Sequence, residues 1–371
     1  MYAFPVLRLV VRVTRARLLV RWGRGERSRC LRTHGCTNPT CEGVLLVESE
    51  DFDELDLKLL HALEIDGRAP FSRVAGVLGV SDQTVARRFR RLRAEAGLRI
   101  VGVRDSARLG RDQWMLRLRC APDSAEAIAA ALARRPDTAW VHLTSAGTEV
   151  VCMTLPRTPG DYDDLLFGKL LRTRQLVEVT AHQLLRNFYG GRTGWIGKHR
   201  PLTDEQVAAL RPAEPSTGPG PVSIAPDDEP LVAALKADGR ATYPELQRLT
   251  GRSESAVKRR VAALLGSGAL YIDTEYDTAR FGFGTAAMLW VTVAPGALDE
   301  VGRAMAGHPE IAHASAVTGS ANLMATVITR DTAELYTYLS GTLGPLDGVR
   351  HIESAPLLRR FKELTYPRPL R

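Results

Sequence analysis

The chain has 371 residues, 44% of them hydrophobic and 25% charged, and a formal charge of +8. That length suits two to four domains of roughly 100–200 residues, and such an apolar content excludes wholesale disorder. The run from Phe4 to Trp22 is the most apolar stretch, but five arginines from Arg8 to Arg21 keep it from being a membrane span or a secretory signal. A cytoplasmic protein with no membrane partner is expected.

Residues 1–50 hold nine arginines against four glutamates, so much of the excess charge sits in one stretch with no pattern shared with the rest. This stretch reads as a leader, either disordered or a mis-assigned start. Within it, Cys30, Cys36 and Cys41 stand near His34 in a C-x5-C-x4-C spacing. Structural zinc sites usually draw ligand pairs from tight turns, which this spacing lacks, so free thiols and no metal are expected. Cys120 and Cys152 lie in apolar, strand-like runs and read as small core residues.

From residue 51 onward the chain is written twice. Asp66-Gly67-Arg68-Ala69 recurs as Asp238-Gly239-Arg240-Ala241, an offset of 172 positions (66 to 238). The same offset pairs Ser81 with Ser253, Val85 with Val257, Arg87-Arg88 with Arg259-Arg260, Leu92 with Leu264, and Gly147 with Gly319. A repeat this long marks duplicated domain pairs rather than a stacked array.

In the first copy, Leu55, Leu59, Leu60 and Leu63 recur at helical spacing and stop before Asp66-Gly67. Ser72 opens a second short helix with Val74, Ala75 and Leu78 on one face, and Gly79-Val80-Ser81 makes the tight turn of a helix-turn-helix. Ser81 is a good N-cap for a third helix whose buried stripe is Val85, Phe89 and Leu92. Its other face carries Gln83, Thr84, Arg87, Arg88 and Arg91. Between Ser81 and Arg104 there are seven arginines against Asp82 and Glu95, a basic patch on the element that would enter a major groove. The second copy offers Lys258, Arg259 and Arg260 against Glu254, Asp273 and Glu275, so weaker phosphate binding is expected of it.

After each reader, short apolar strands alternate with helical stretches. The first series is Trp114–Cys120, Ala125–Arg134, Ala139–Ser145, Glu149–Leu155, Asp161–Leu171 and Val177–Leu185. The second is Ala286–Val293, Leu298–Ala306, Ile311–Thr318, Leu323–Thr329, Ala333–Thr342 and Val349–Leu358. The order βαββαβ is that of a ferredoxin-like split sandwich, which leaves one sheet face in need of a partner. The expected fold is therefore α+β: two tandem copies of a winged-type helix-turn-helix followed by a ferredoxin-like ligand-binding or dimerisation domain. The boundaries are a leader at 1–50, helix-turn-helix domains at 51–107 and 226–279, and ferredoxin-like domains at 108–189 and 280–371. A linker at 190–225, rich in Pro, Gly and Ser, is interrupted by a short helix from Thr203 to Leu210.

From Leu55-Asp56 through Asp66-Gly67-Arg68, Val80-Ser81, Val85, Arg88, Leu92 and Leu109-Gly110, the sequence resembles the Lrp/AsnC (feast/famine) family of transcription regulators. The resemblance implies a regulator that binds double-stranded DNA, responds to an amino acid or related metabolite, and pairs its sheets as a homo-oligomer or an intrachain pseudo-dimer. It departs from the family's usual single copy. The DNA-contacting residues it implies are Ser81, Gln83, Thr84, Arg87, Arg88 and Arg91, with Lys258, Arg259 and Arg260 in the second copy. The ligand-responsive glycine turn falls on Gly147-Thr148 and Gly319-Ser320. Where the family often has an Asp three residues on, this chain has Val150 and Asn322, so Asn322 makes the second copy the better sensor.

A siroheme-decarboxylase-like tetrapyrrole enzyme is the alternative of the same architecture, with a decayed interaction module as a third reading. His142, His182, His313 and His351 stand singly on strand-like segments and read as core or rim residues. Nothing resembles a nucleotide loop, a metal cluster or a nucleophile triad, so neither catalysis nor a cofactor is expected.

Overall fold

The computed structural model describes residues 10–14, 17–21, 52–121, 123–156, 174–212 and 220–365. The chain divides into two compact units, Met1–Gly43 and Val44–Arg371. In the first, β1 (Val10–Thr14) and β2 (Arg17–Arg21) pair antiparallel with Val10 opposite Arg21. These two strands fall within the stretch read as a leader; Cys30, His34, Cys36 and Cys41 lie outside the described residues.

The second unit opens with α1 (Glu54–Ile65), α2 (Phe71–Leu78), α3 (Asp82–Glu95) and β3 (Arg99–Arg104). Local chemistry sets the boundaries. Asp53 and Asp56 form a reciprocal capping box at the start of α1, and Ser81 accepts from the Thr84 amide at the start of α3. Next come β4 (Trp114–Cys120), α4 (Ala125–Ala133), β5 (Thr138–Thr144), β6 (Glu149–Thr154) and β7 (Leu176–Tyr189). The helix expected at 161–171 lies outside the described residues.

A short α5 (Asp204–Leu210) precedes α6 (Glu229–Ala237), α7 (Tyr243–Thr250), α8 (Glu254–Gly266) and β8 (Leu270–Glu275). The chain then runs through β9 (Thr285–Val293), α9 (Leu298–Gly307), β10 (Ile311–Val317) and β11 (Leu323–Thr329). It ends in α10 (Thr332–Thr337), a π-helical turn over Tyr338–Leu343, β12 (Val349–Pro356) and β13 (Arg359–Lys362). Among the described residues no helix is long and apolar enough to cross a membrane.

The strands after each three-helix group take the order of a split βαββαβ sheet, β7-β4-β6-β5 and β12-β9-β11-β10. The far half of β7 pairs with β10, and β13 pairs with β5, so each sheet's last strand continues onto the edge of the other. This exchange covers two edges that would otherwise expose unpaired backbone. α4 covers one sheet through Leu116, Ala129, Leu132, Val141 and Val150, while α9 and α10 cover the other through Leu289, Val301, Met305 and Leu335. The remaining faces meet each other. Met115, Met153, Met288, Trp290, Val317 and Met324 form one buried cluster between them, worth roughly 1.5–3 kcal/mol per side chain removed from water. Cys120 and Cys152 are buried free thiols, pushed up by burial to about 11 and about 12.

The three-helix groups are joined by a second device. β3 and β8 form a two-stranded antiparallel ribbon running from the pair Arg99–Glu275 to the pair Arg104–Leu270, with Val101 opposite Asp273. Where α1 ends, Arg68 donates to the carbonyls of Gly239 and Ala241 and lies over the Tyr243 ring at 5.4 Å. Where α6 ends, Arg240 donates to the carbonyls of Gly67 (2.7 Å) and Ala69 (2.9 Å) and lies over Phe71 at 4.5 Å. The two contacts are reciprocal, as in an isologous interface.

The first half of the stretch expected to be a linker is packed. Trp195, Ile196, Leu202 and Leu210 enter the core of α1–α3, Arg73 donates to the Ala209 carbonyl at 2.8 Å, and Gln206 to that of Val77 at 3.0 Å. Apolar residues spaced among Gly and Pro conceal such packing from a reading of composition.

The ribbon lies tight against the helix ends: a Cβ on Gly239 would meet the Val101 nitrogen at 3.0 Å and the Ile100 carbonyl carbon at 3.1 Å. Gly76, exposed in α2, has nothing within 4 Å of that position. Urea unfolding should therefore show Gly239→Ala destabilising by about 1–3 kcal/mol through overpacking. Gly76→Ala should stabilise by up to about 1 kcal/mol through helix propensity. Equal effects from the two would contradict the packing described.

Candidate nucleic-acid interface

The turn between α2 and α3 is built on two residues. Ala75, 2% exposed, lets the helices approach, and Gly79 sits at φ +68°, in the left-handed region where a Cβ is unfavourable. The Val80 amide closes the turn on the Ala75 carbonyl at 3.0 Å. Val85, Phe89 and Leu92 face the core, which leaves Ser81, Asp82, Gln83, Arg87, Arg90 and Arg93 exposed along the other side of α3.

The arginines on this helix divide by partner. Arg88 grips both Asp53 oxygens at 2.7 and 2.8 Å and the buried Asp56 at 2.9 Å, tying α3 to the start of α1. Burial works against its charge, but the bonds to Asp53 and Asp56 prevail and hold its pKa above the usual value. Arg91 contacts Asp56 at 3.5 Å and Glu95 at 3.0 Å, and lies over the Phe52 ring at 4.9 Å. Arg90 touches the Ala86 carbonyl of its own helix at 3.3 Å, and Arg93 lies 5.8 Å from the Phe89 ring. Arg87 is exposed and forms no ion pair among the described residues. Of the six residues assigned to DNA in the first copy, Ser81 caps the helix, Gln83 is exposed, Thr84 is half-buried and bonded to the Ser81 hydroxyl at 3.0 Å, and Arg87 is free. Arg88 and Arg91 are committed to the fold.

α8 repeats the arrangement with less spare charge. Arg260 bonds the buried Asp228 at 2.6 Å through Nε, and Arg252 bonds the same carboxylate at 2.8 Å. Their pull keeps the Asp228 carboxyl below its ordinary range against the opposing effect of burial. Lys258 pairs with Glu254 at 2.7 Å, and Arg259 is exposed. Asp56–Arg88 and Asp228–Arg260 stand at the same offset, yet neither pairing was legible from sequence; an acid beside a helix start has the look of an ordinary cap.

The glycine turns assigned to an effector are on the surface. Gly147 has φ +87° and follows Ser145 and Ala146, also at positive φ, while the Thr148 hydroxyl bonds the Ser145 carbonyl at 2.8 Å. Gly319, at φ +113°, lies where a Cβ would meet His182 Nδ1 at 2.7 Å, and the Ser320 carbonyl accepts from Thr292. Asn322 spends both ends of its amide on Val293, Oδ1 accepting from its N–H and Nδ2 donating to its carbonyl, each at 2.8 Å.

A tri-helical reader with a basic exposed face, joined to βαββαβ sheets, defines an α+β protein of helix-turn-helix and ferredoxin-like parts. Residues 52–93 match the AsnC-type helix-turn-helix domain, and residues 286–367 match the Lrp/AsnC ligand binding domain. The two matched stretches are thus a helix-turn-helix and a ligand-binding domain of the Lrp/AsnC type. The chain is 29% identical over 139 residues, 37% of this chain and 91% of the other, to the HTH-type transcriptional regulator FL11 of Pyrococcus horikoshii. It is 26% identical over 136 residues, 36% of this chain and 96% of the other, to the HTH-type transcriptional regulator LrpA of Pyrococcus abyssi. In fold, it is similar to the siroheme decarboxylase NirDL in co-complex with an iron-uroporphyrin III analogue, with a TM-score of 0.58 and 17% identity, covering 85% of this chain and 94% of that one.

Because Arg88 neutralises a carboxylate with no exposed surface, its removal leaves a buried charge. Arg88→Ala should lower unfolding free energy by roughly 3–5 kcal/mol, the range for breaking one side of a buried pair. Arg87→Ala should stay within about 0.5 kcal/mol, as for a free surface residue. Chemical denaturation of both variants checks the division; comparable losses would contradict it.

Proposed function

We propose that the chain is a sequence-specific DNA-binding transcription regulator of the Lrp/AsnC type. The observation that carries the reading is the exposed basic face of α3 within the stretch matching the AsnC-type helix-turn-helix domain. Curated relatives named as HTH-type transcriptional regulators support it. In this reading α3 enters the major groove, Ser81, Gln83 and Thr84 lie nearest the base edges, and Arg87, Arg90 and Arg93 hold phosphates or guanines. Arg88 and Arg91 act indirectly, by fixing the helix.

We read the organisation as a tandem duplication, with reader and sheet at 51–107 and 108–189 and again at 226–279 and 280–371. The residues between, 190–225, are in part a brace on the first reader. The reciprocal arginine contacts and the strand exchange support an intrachain pseudo-dimer, which presents α3 and α8 as unequal readers. Of the second set, Arg259 is exposed and has no ion pair among the described residues, while Lys258 and Arg260 are paired. An amino-acid-like effector would meet the exposed backbone at Gly147-Thr148 and Gly319-Ser320 and, with Asn322 occupied by Val293, would rely on main-chain groups there. The tetrapyrrole-enzyme reading rests on likeness of fold alone and is the weaker one.

Fluorescence anisotropy against the chain's own upstream DNA, across a salt series, tests the assignment. Arg87→Ala/Arg90→Ala should weaken binding at least tenfold and flatten the log–log salt slope by about one for each phosphate no longer neutralised. Arg259→Ala should do less. Binding with no preference over competitor DNA would overturn the regulator reading for that site.

A further inference from the structure

Between the two sheets and the β3–β8 ribbon lies a cavity of about 560 Å³, within the roughly 300–1,000 Å³ typical of small-molecule sites. Trp140, Met153 and Met288 are among its apolar walls. Its charged lining is unbalanced: Glu64, Asp105, Asp273, Glu275 and Glu363 face three cations, Arg104, Arg192 and Arg360. Those cations are engaged, Arg192 with Asp105 at 3.0 Å, Arg360 with Glu363 at 3.5 Å, and Arg104 with Glu229 outside the lining.

Of the three carboxylates left over, Glu64 accepts from the Tyr276 hydroxyl at 2.7 Å and from the Ile196 and Gly197 amides at 3.1 Å, Glu275 has one distant cation, and Asp273 has none among the described residues. Asp273 accepts the amide of its neighbour Thr274 at 2.7 Å and meets no cation among the described residues. Glu275 accepts the Thr365 amide at 2.9 Å, and Arg99 Nε stands 4.0 Å away. Burial raises Asp273 to about 6 and Glu275 to about 7, the latter helped by the Glu363 charge. His142, 5% exposed, also lines the cavity; neither ring nitrogen has a hydrogen-bond partner among the described residues, and Nε2 lies 3.5 Å from Glu363.

The fold does not require these acids. At the 172-residue offset, Asp273 and Glu275 correspond to Val101 and Val103, which pack with Ala139 and Leu364 in a small apolar cluster. Valine satisfies the same ribbon on its other strand, whereas an unpaired buried carboxylate costs free energy. Two such substitutions facing a cavity, beside an unsatisfied imidazole, are features a ligand would explain.

We propose that this cavity binds a small organic cation, a primary ammonium or amidinium on an apolar, ring-sized body. Asp273 and Glu275 receive the cationic group, the methionines and Trp140 surround the body, and His142 supplies a ring nitrogen to a polar substituent. This site lies apart from the glycine turns and does not depend on the DNA-binding reading.

Calorimetric titration of the full chain with tryptamine, tryptophol and indole-3-propionate compares one ring bearing a cationic, a neutral and an anionic end, with benzamidine as a second cation. Tryptamine or benzamidine should bind at least tenfold more tightly than indole-3-propionate. Asp273→Asn, and Asp273→Val which copies the offset-related residue, should each weaken that binding at least tenfold while the thermal transition stays cooperative. Asp299→Asn, on the outer surface, should leave it unchanged. Neither cation binding, a preference for the anionic twin or for anionic uroporphyrin III, or indifference to both Asp273 variants would overturn the proposal.

Discussion

Arg68 and Arg240 make the same contact in opposite directions, each clasping two carbonyls of the other's Asp-Gly-Arg-Ala turn and stacking on an aromatic ring at the start of the following helix. Bringing two guanidinium groups into one interface is unfavourable by itself: burial, and next the charge of Arg68, hold Arg240 below its usual value. Charge-assisted bonds to carbonyls and the faces of Tyr243 and Phe71 offset that cost. The clasp works only because Gly67 and Gly239 bring the turns close to the β3–β8 ribbon. Ribbon, turns and guanidinium groups thus set the relation of the two three-helix groups, and the exchanged strands β7 and β13 set that of the two sheets.

On this nearly symmetric frame the surfaces diverge. The Asp56–Arg88 pair and the Asp228–Arg260 pair hold α3 and α8 alike, but the solvent face of α3 keeps Arg87, Arg90 and Arg93 exposed, while α8 keeps Arg259 and a paired Lys258. At the ribbon the divergence runs the other way, with valines on β3 and carboxylates on β8.

Much of the element order was legible from periodicity and apolar runs: β4 and β11 begin and end where the apolar runs do, and Ser81 and Thr203 cap the helices they precede. The repeated Asp-Gly-Arg-Ala was visible as a repeat, yet its use was not, because a reciprocal contact exists only once both copies are placed in space. β3, β8 and β13 escaped notice for a related reason. Each is short, and each is stabilised by a partner far away in the chain rather than by its own alternation. The basic face of α3 was legible as composition, but composition does not separate Arg87, which faces solvent, from Arg88, which Asp53 and Asp56 hold.

The claim on which this account turns is that the clasp couples the two three-helix groups into one cooperative body. Native-state hydrogen exchange on the Arg68→Ala/Arg240→Ala double variant addresses it directly, reading amides in α1–α3, α6–α8 and the ribbon. The account predicts that protection falls in both helical groups together, with the ribbon amides of Val101 and Asp273 among those affected. Unchanged protection, or loss confined to one group, would show that the two groups stand independently and would contradict it.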